Sequence, residues 1–513
     1  MWRATACLAA LGFAGCAQAP PSVTVDGEVL VGSHVAGGVA AFLGVPFAEP
    51  PVGDLRWRAP QPLATKLQRR DTTRFAPACM QTTRILDWYR YLAETFGGSR
   101  EYYPDLEISE DCLYLNVWTP TPDTDAKLPV MVWVYGGSNR SGWSYEPNYH
   151  GHVLAARDVV VISVAYRQGL FGFLSHPELP AGEAQANFGL WDIVAALRWV
   201  QRNAAAFGGD PDRVTLFGES AGAQNILALM FADAADGLFQ RAVLQSTASF
   251  GIERMSTLAD EQRRGTALAK ALGLGGGDEL AKLRALPAAR LLEPYETDWA
   301  DYYHAPAIDD MLLTENTWQR IRSGDFRGRR LIIGTNRDEW LDYIERDAGE
   351  TELREAAAKL LHFEPEAALA LVADEPDPRR AMDRLITADN YLCASQITAS
   401  RASESGGNAW MYYFTRVRED AGGRILGAYH GAEYPYVFGT HDAYMRSTDI
   451  DHELTDIMQR YWVNFAAVGD PNGPGLPPWP VYAQPDARVQ ELGDSVGPVP
   501  PPDEELCRLF DAG

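Results

Sequence analysis

Past residue 19 this 513-residue chain has no apolar run long enough to cross a bilayer, which excludes a membrane-spanning helix there. Positive charge is scarce: 45 Lys and Arg stand against 69 Asp and Glu, a net charge of −24 with a pI near 4.8. Nothing resembles a basic stripe able to displace phosphate counterions, so nucleic-acid binding is excluded. The surplus reads as a solubility charge spread over the surface, and its field disfavours anionic substrates unless a local arginine reverses it. Cysteine is sparse too, with six in all and none at the short spacing of a zinc site, so no metal is expected. Linkers, composition breaks and internal repeats are missing, which argues for one large domain over residues 20–513. With 46% hydrophobic and 22% charged residues, that domain can bury a sizeable core.

Residues 1–19, MWRATACLAALGFAGCAQA, combine one early arginine, a short apolar stretch and a small-residue end, the pattern of a secretory signal. Ala-Gln-Ala before Pro20 fits ordinary cleavage, and Phe-Ala-Gly-Cys16 resembles a bacterial lipoprotein site. The mature protein is therefore expected to be exported: periplasmic, secreted, or tethered by a lipid on Cys16. Setting aside Cys7 and Cys16 leaves Cys79, Cys112, Cys393 and Cys507. Four cysteines in an exported chain suggest two disulfides, with three pairings open.

The chain is organised around RVTLFGESAGAQNILALMF, Arg213 to Phe231. A β-branched and aromatic run, a Gly-Glu-Ser-Ala-Gly hinge and a stretch with helical apolar spacing spell a strand, a sharp turn and a helix. This is a nucleophile elbow, which exposes a serine hydroxyl above a sheet. Ser220 is the candidate nucleophile. Gly218 and Gly222 sit where the backbones approach too closely for a Cβ, and the helix aims its N–H groups at an oxyanion forming beside Ser220. Gly493 to Gly497, GDSVG, repeats the pattern around Ser495, but the following PVPPP cannot open a helix. Context selects Ser220.

Further strands are predicted in LPVMVWVYGG (Leu128 to Gly137), RDVVVISVAYR (Arg157 to Arg167), RAVLQSTAS (Arg241 to Ser249) and AWMYYFTRV (Ala409 to Val417), a strand and loop in GRRLIIGTNRDEW (Gly328 to Trp340), and helical spacing in NFGLWDIVAALRWVQRNAAAFGGD (Asn187 to Asp210), which leads into the elbow strand. The opening after the leader alternates over short, glycine-punctuated runs, as an antiparallel preamble does.

Several longer strings, LGVPFAEPPVGDLRW, SEDCLYLNVW, GAYHGAEYPYVFG and YWVNFAAVGDPNGPG, resemble the type B carboxylesterases and cholinesterases, and the resemblance runs roughly from residue 28 to 507. It implies an α/β-hydrolase fold: a mostly parallel central sheet flanked by helices, with large loops forming a gorge. The implied activity is hydrolysis of a small-molecule carboxylic ester, with no cofactor. The triad acid falls on Glu339, with Asp338 as its neighbouring competitor, and Trp340 stands where the family has glycine. The base must follow the acid in this fold. Of nine histidines only His362, His430, His441 and His452 do, and His430 sits in the matching string.

The resemblance further places the oxyanion donors on the backbones of Gly137, Ser138 and Ala221, and a site-shaping carboxylate on Glu219. It pairs Arg56 with Glu110 and Arg167 with Asp192 as scaffold. It closes one disulfide from Cys79 to Cys112, around an aromatic-rich loop holding Trp88, Tyr89, Tyr91, Tyr102 and Tyr103, and another from Cys393 to Cys507. Tyr102 falls where cholinesterases hold the choline cation with tryptophan, a better platform than tyrosine. Ala300 and Tyr302 fall on the acyl-pocket positions and imply room for acyl groups larger than acetyl. Asn139 and Arg140 replace aromatic residues, and Arg140 is either a partner for a substrate carboxylate or a solvent-facing loop residue. Some cholinesterase-like chains are adhesion modules without a triad; here all three positions hold the required residue types.

Overall fold

The β-branched runs read from the sequence assemble one sheet of eleven strands. In chain order these are β1 (Ser33–His34), β2 (Ala40–Pro46), β3 (Tyr114–Thr119), β4 (Leu128–Val134), β5 (Val160–Val164), β6 (Gly209–Glu219), β7 (Arg241–Gln245), β8 (Arg330–Asn336), β9 (Ala409–Phe414), β10 (Val489–Leu492) and β11 (Val496–Val499). The computed structural model describes residues 19–512 apart from 248–252, 254, 298, 300–302 and 362–363. The expected leader with Cys16, the acyl-pocket positions Ala300 and Tyr302, and His362 thus lie outside the described residues.

Across the sheet the strands run β11-β10-β9-β8-β7-β6-β4-β5-β3-β2-β1. From β10 to β5 every neighbouring pair is parallel, whereas β11 at one edge and β3, β2 and β1 at the other pair antiparallel. The parallel strands read as unbroken apolar runs because they are covered on both faces; Val160–Val164 is buried at every position. The predicted preamble is present at that antiparallel edge and in a small separate sheet begun by the antiparallel pair Ser22–Val25 and Glu28–Val31. Helices flank the sheet, among them Phe188–Asn203, Ala221–Leu229 and Asp449–Val468. One large apolar cluster spans sheet and helices, and a smaller one gathers Trp57, Leu170, Phe171, Leu268 and Leu283.

Chain order reverses at β4, which has β5 on one side and β6 on the other. Above the carboxyl ends of strands at such a switch point lies a crevice that suits a ligand. The turn after β4, the residue after β6 and the loop after β8 all open into that crevice.

Both disulfides form with the pairing implied by the family resemblance, Cys79–Cys112 and Cys393–Cys507. The scaffold ion pairs are also in place: Arg56 to Glu110 at 2.6 Å and Arg167 to Asp192 at 2.8 Å. The competing GDSVG copy spans the turn between β10 and β11 and runs directly into strand β11 rather than a helix.

Candidate active site

Ser220 directly follows β6 and precedes the Ala221–Leu229 helix, with φ 54° and ψ −126°. An L-residue adopts that conformation only under constraint. The constraint is backbone crowding: a Cβ on Gly222 would lie 2.1 Å from the Val134 carbonyl oxygen, and one on Gly218 2.5 Å from the same atom. The helix and β4 can approach only because both positions lack a side chain. Ser220 N–H donates to the Gln245 carbonyl on β7 at 2.9 Å, which pins the corner from a second strand.

The turn after β4 runs through three consecutive positive φ values, 97° at Gly137, 60° at Ser138 and 54° at Asn139. Asn139 is held there by its side chain, which donates to the His304 carbonyl at 2.9 Å and exchanges hydrogen bonds with the Asn225 amide. Among the described residues, nothing accepts the backbone N–H of Gly137, Ser138 or Ala221. Three uncommitted donors beside Ser220 are what a developing oxyanion requires, each worth about 3 to 4 kcal/mol in the transition state.

Glu339, three residues past β8, is fully buried. Its Oε1 accepts from the Thr335 hydroxyl at 2.6 Å and the Asn336 N–H at 2.7 Å, and its Oε2 lies 2.5 Å from His430 Nδ1. The competitor Asp338 instead accepts from the Ala428 N–H at 2.7 Å and pairs with Arg337, so it holds the histidine loop without touching the imidazole. Trp340, in place of glycine, keeps an ordinary φ of −110°, and its N–H donates to Asp383 at 2.8 Å. His441 is committed to Arg418 and Thr455, and its ring packs against that of His452.

His430 Nε2 lies 3.0 Å from Glu219 Oε1, and the other Glu219 oxygen accepts from the Tyr434 hydroxyl. Among the described residues, the Ser220 hydroxyl forms no hydrogen bond with His430, although both line one cavity of about 130 Å³. Burial pushes the Glu219 carboxyl up to about 8, against the pull of the imidazolium. Burial also opposes charge on His430, but the carboxylates of Glu219 and Glu339 outweigh it and raise the imidazole to about 9. The two groups are coupled across that 3.0 Å ion pair, with no hydrogen bond formed by Glu219 Oε1 among the described residues, and they titrate as a unit.

An imidazole can take a proton only in its neutral form, so a reaction that uses His430 as base is expected to show kcat/KM rising with pH through an apparent pKa above the usual histidine value of 6.5. Glu219→Gln removes a charge that holds the proton and should move this acid limb down by about one pH unit or more. A pH–rate profile with an unmoved acid limb would show that Glu219 does not govern the imidazole.

The cavity walls differ from the sequence expectation. Tyr102 is 37% exposed and packs against Tyr444 with ring centroids 4.8 Å apart, outside the cavity. Counting back from Cys112 misplaces the wall because the loop folds a helix, Arg84–Thr95, that carries Arg84, Ile85, Trp88 and Tyr89 into the cavity instead. Arg140 is also displaced from its expected role: it is 7% exposed, stacks 4.5 Å over the Tyr295 ring and does not line the cavity. The tight turn that exposes the Gly137–Ser138 backbone sends the Arg140 side chain into the interior. Glu219 lines the cavity as expected, joined by Glu146, Tyr149, Tyr303, Trp340, Tyr343 and Tyr391, which the sequence reasoning missed. The aromatic density around Cys79–Cys112 hinted at Trp88; nothing local marked Tyr303 or Tyr391.

The Arg84–Thr95 helix and the loop that continues it are tied to the loops bearing Glu339 and His430. Trp88 Nε1 donates to Asp342 at 2.8 Å, just past Glu339. Further along the same disulfide loop, the Tyr103 hydroxyl donates to Asp442 at 3.2 Å, beyond His430.

An elbow serine, a carboxylate-held imidazole and a strained donor turn at the switch point of a parallel sheet define an α/β-hydrolase. Residues 20–498 match the Carboxylesterase family model, and the chain belongs to that family. It is 34% identical over 489 residues to fumonisin B1 esterase of Sphingopyxis macrogoltabida, covering 90% of this chain and 85% of that one. It is 31% identical over 509 residues to acetylcholinesterase 1 of Caenorhabditis briggsae, covering 87% and 79%. Among solved structures, a PNB esterase superposes with a TM-score of 0.82 at 32% identity, over 95% of this chain and 99% of that one. A thermophilic PNB esterase gives 0.81 at the same identity and coverage. Family and relatives together support ester hydrolysis.

Proposed function

We propose that this protein is an exported serine carboxylesterase, with residues 1–19 as its leader and residues 20–513 as one catalytic domain. Ser220 is the nucleophile, His430 the general base and acid, and Glu339 the residue that orients the imidazole. The observation carrying this reading is the 2.5 Å contact between Glu339 Oε2 and His430 Nδ1 on the wall of the cavity that holds the elbow serine.

A serine hydroxyl is almost wholly protonated near neutrality and needs a base as it attacks. With Nδ1 held by Glu339, the free electron pair of a neutral His430 is on Nε2, the nitrogen that turns from Glu219 to the Ser220 hydroxyl once substrate fills the cavity; such contacts tighten on binding. Ser220 Oγ then bonds to the ester carbon while its proton passes to Nε2, and the carbonyl oxygen becomes an oxyanion held by the N–H groups of Gly137, Ser138 and Ala221. Collapse breaks the bond to the alcohol, which leaves with the proton from Nε2. Water repeats the sequence on the acyl-enzyme, releasing the acid and restoring Ser220. No step calls for a cofactor.

The test is covalent. Incubation with an organophosphate should attach one phosphoryl group per chain, and peptide mass spectrometry should find it on Ser220. A modified Ser495, or an unlabelled chain, would refute the reading.

A further inference from the structure

Among the described residues lining the cavity there is a single guanidinium or ammonium group, that of Arg84. It is the first residue of the Arg84–Thr95 helix and is exposed at the mouth, near Tyr343, which is 44% exposed. Its Nη1 lies 3.4 Å from the hydroxyl of Ser138, whose own N–H faces the oxyanion position. Among the described residues no carboxylate pairs with it, in a chain where acidic residues outnumber basic ones 69 to 45. The carboxyls on the cavity wall are engaged elsewhere: Glu146 by Tyr89, and Glu219 by Tyr434 and His430. Asp87, one turn along the helix, is taken by Arg90 and Arg100.

An arginine without an anionic partner, one side chain away from an oxyanion donor, is placed to receive an anion that the rest of the molecule would repel. We propose that Arg84 is a specificity residue that binds a second carboxylate of the substrate, so that the enzyme prefers esters carrying a free carboxylate a few bonds from the carbonyl that reacts. This rests on the ester-hydrolase reading and adds its substrate class. Arg84 takes over the role that the sequence suggested for the buried Arg140.

The test uses two matched pairs of esters. p-Nitrophenyl hydrogen glutarate against p-nitrophenyl valerate places the carboxylate on the acid half; carboxymethyl butyrate against ethyl butyrate places it on the alcohol half. In at least one pair, Arg84→Gln should lower kcat/KM for the anionic ester about tenfold, the size of one solvent-facing charge-assisted contact, and leave its neutral partner unchanged. Arg84→Lys should restore part of the loss, and added salt should erode the anionic preference of the wild type but not of Arg84→Gln. The pair that responds shows which half bears the charge. Equal losses on anionic and neutral esters, or no loss on either, would overturn the assignment while hydrolysis of the neutral esters leaves the esterase reading standing. A wild-type protein that cleaves none of the four esters would overturn both.

Discussion

Replacing Ser220 with alanine should lower kcat for a p-nitrophenyl ester by about a millionfold, the scale on which loss of the nucleophile acts in a serine hydrolase. The effect is this large because no other side chain can inherit the role. Among the described residues, only Ser220 has its backbone forced into the corner that presents a hydroxyl beside three uncommitted N–H groups. What survives should be the contribution of oxyanion donors and binding, about 10³ to 10⁴ over water. Alanine fits the corner as serine does, so thermal unfolding should barely change, which separates lost chemistry from lost structure. Stopped assays with enzyme in excess, comparing wild type and Ser220→Ala at equal folded fraction, read the ratio directly. A residual rate within a hundredfold of wild type would mean that another group does the chemistry.

Glu339→Gln should cost about 10⁴ in kcat although it removes no atom's worth of volume. Two donors, the Thr335 hydroxyl and the Asn336 N–H, converge on one Glu339 oxygen. They would hold the carbonyl of a glutamine on their side and leave its NH₂ facing His430. Nδ1 would then accept a hydrogen bond instead of donating one, which drives the imidazole proton onto Nε2, the nitrogen that must be bare to take the serine proton. The charge that stabilises the imidazolium goes as well. Glu339→Asp keeps the charge but withdraws it by one methylene and should fall between the two. If Glu339→Gln retained wild-type kcat while Asp338→Asn lost it, the acid would be the neighbouring residue.

The fold was legible because its parallel strands are buried on both faces, which leaves runs such as VVVISV and LIIG that periodicity finds without help. The elbow was legible because steric crowding fixes residue types at fixed offsets, Gly218 and Gly222 about Ser220. Glu339 and His430 were singled out by chain order and family resemblance; Asp338 and Glu339 are both buried, and hydrogen bonding separates them, because Thr335 and Asn336 aim Glu339 at the imidazole while Ala428 and Arg337 hold Asp338. Cavity walls resisted such reading because each wall residue arrives from a separate loop. Trp88 points inward because a helix forms inside the disulfide loop, and Arg140 points away because the preceding turn takes three left-handed residues. Neither event leaves a periodic trace, and counting from a cysteine cannot register a helix that shortens the path.

The anchoring of the segment closed by Cys79 and Cys112 bears on how this enzyme acquires new substrates. Because Trp88 grips the stretch after Glu339 and Tyr103 the stretch after His430, a graft that changed the segment's length would pull on both residues at once. Exchange of single side chains at Arg84 or Ile85 leaves both grips in place. Laboratory evolution of this chain should therefore broaden its repertoire through point changes on that helical turn, and libraries of loop insertions there should yield mostly dead variants.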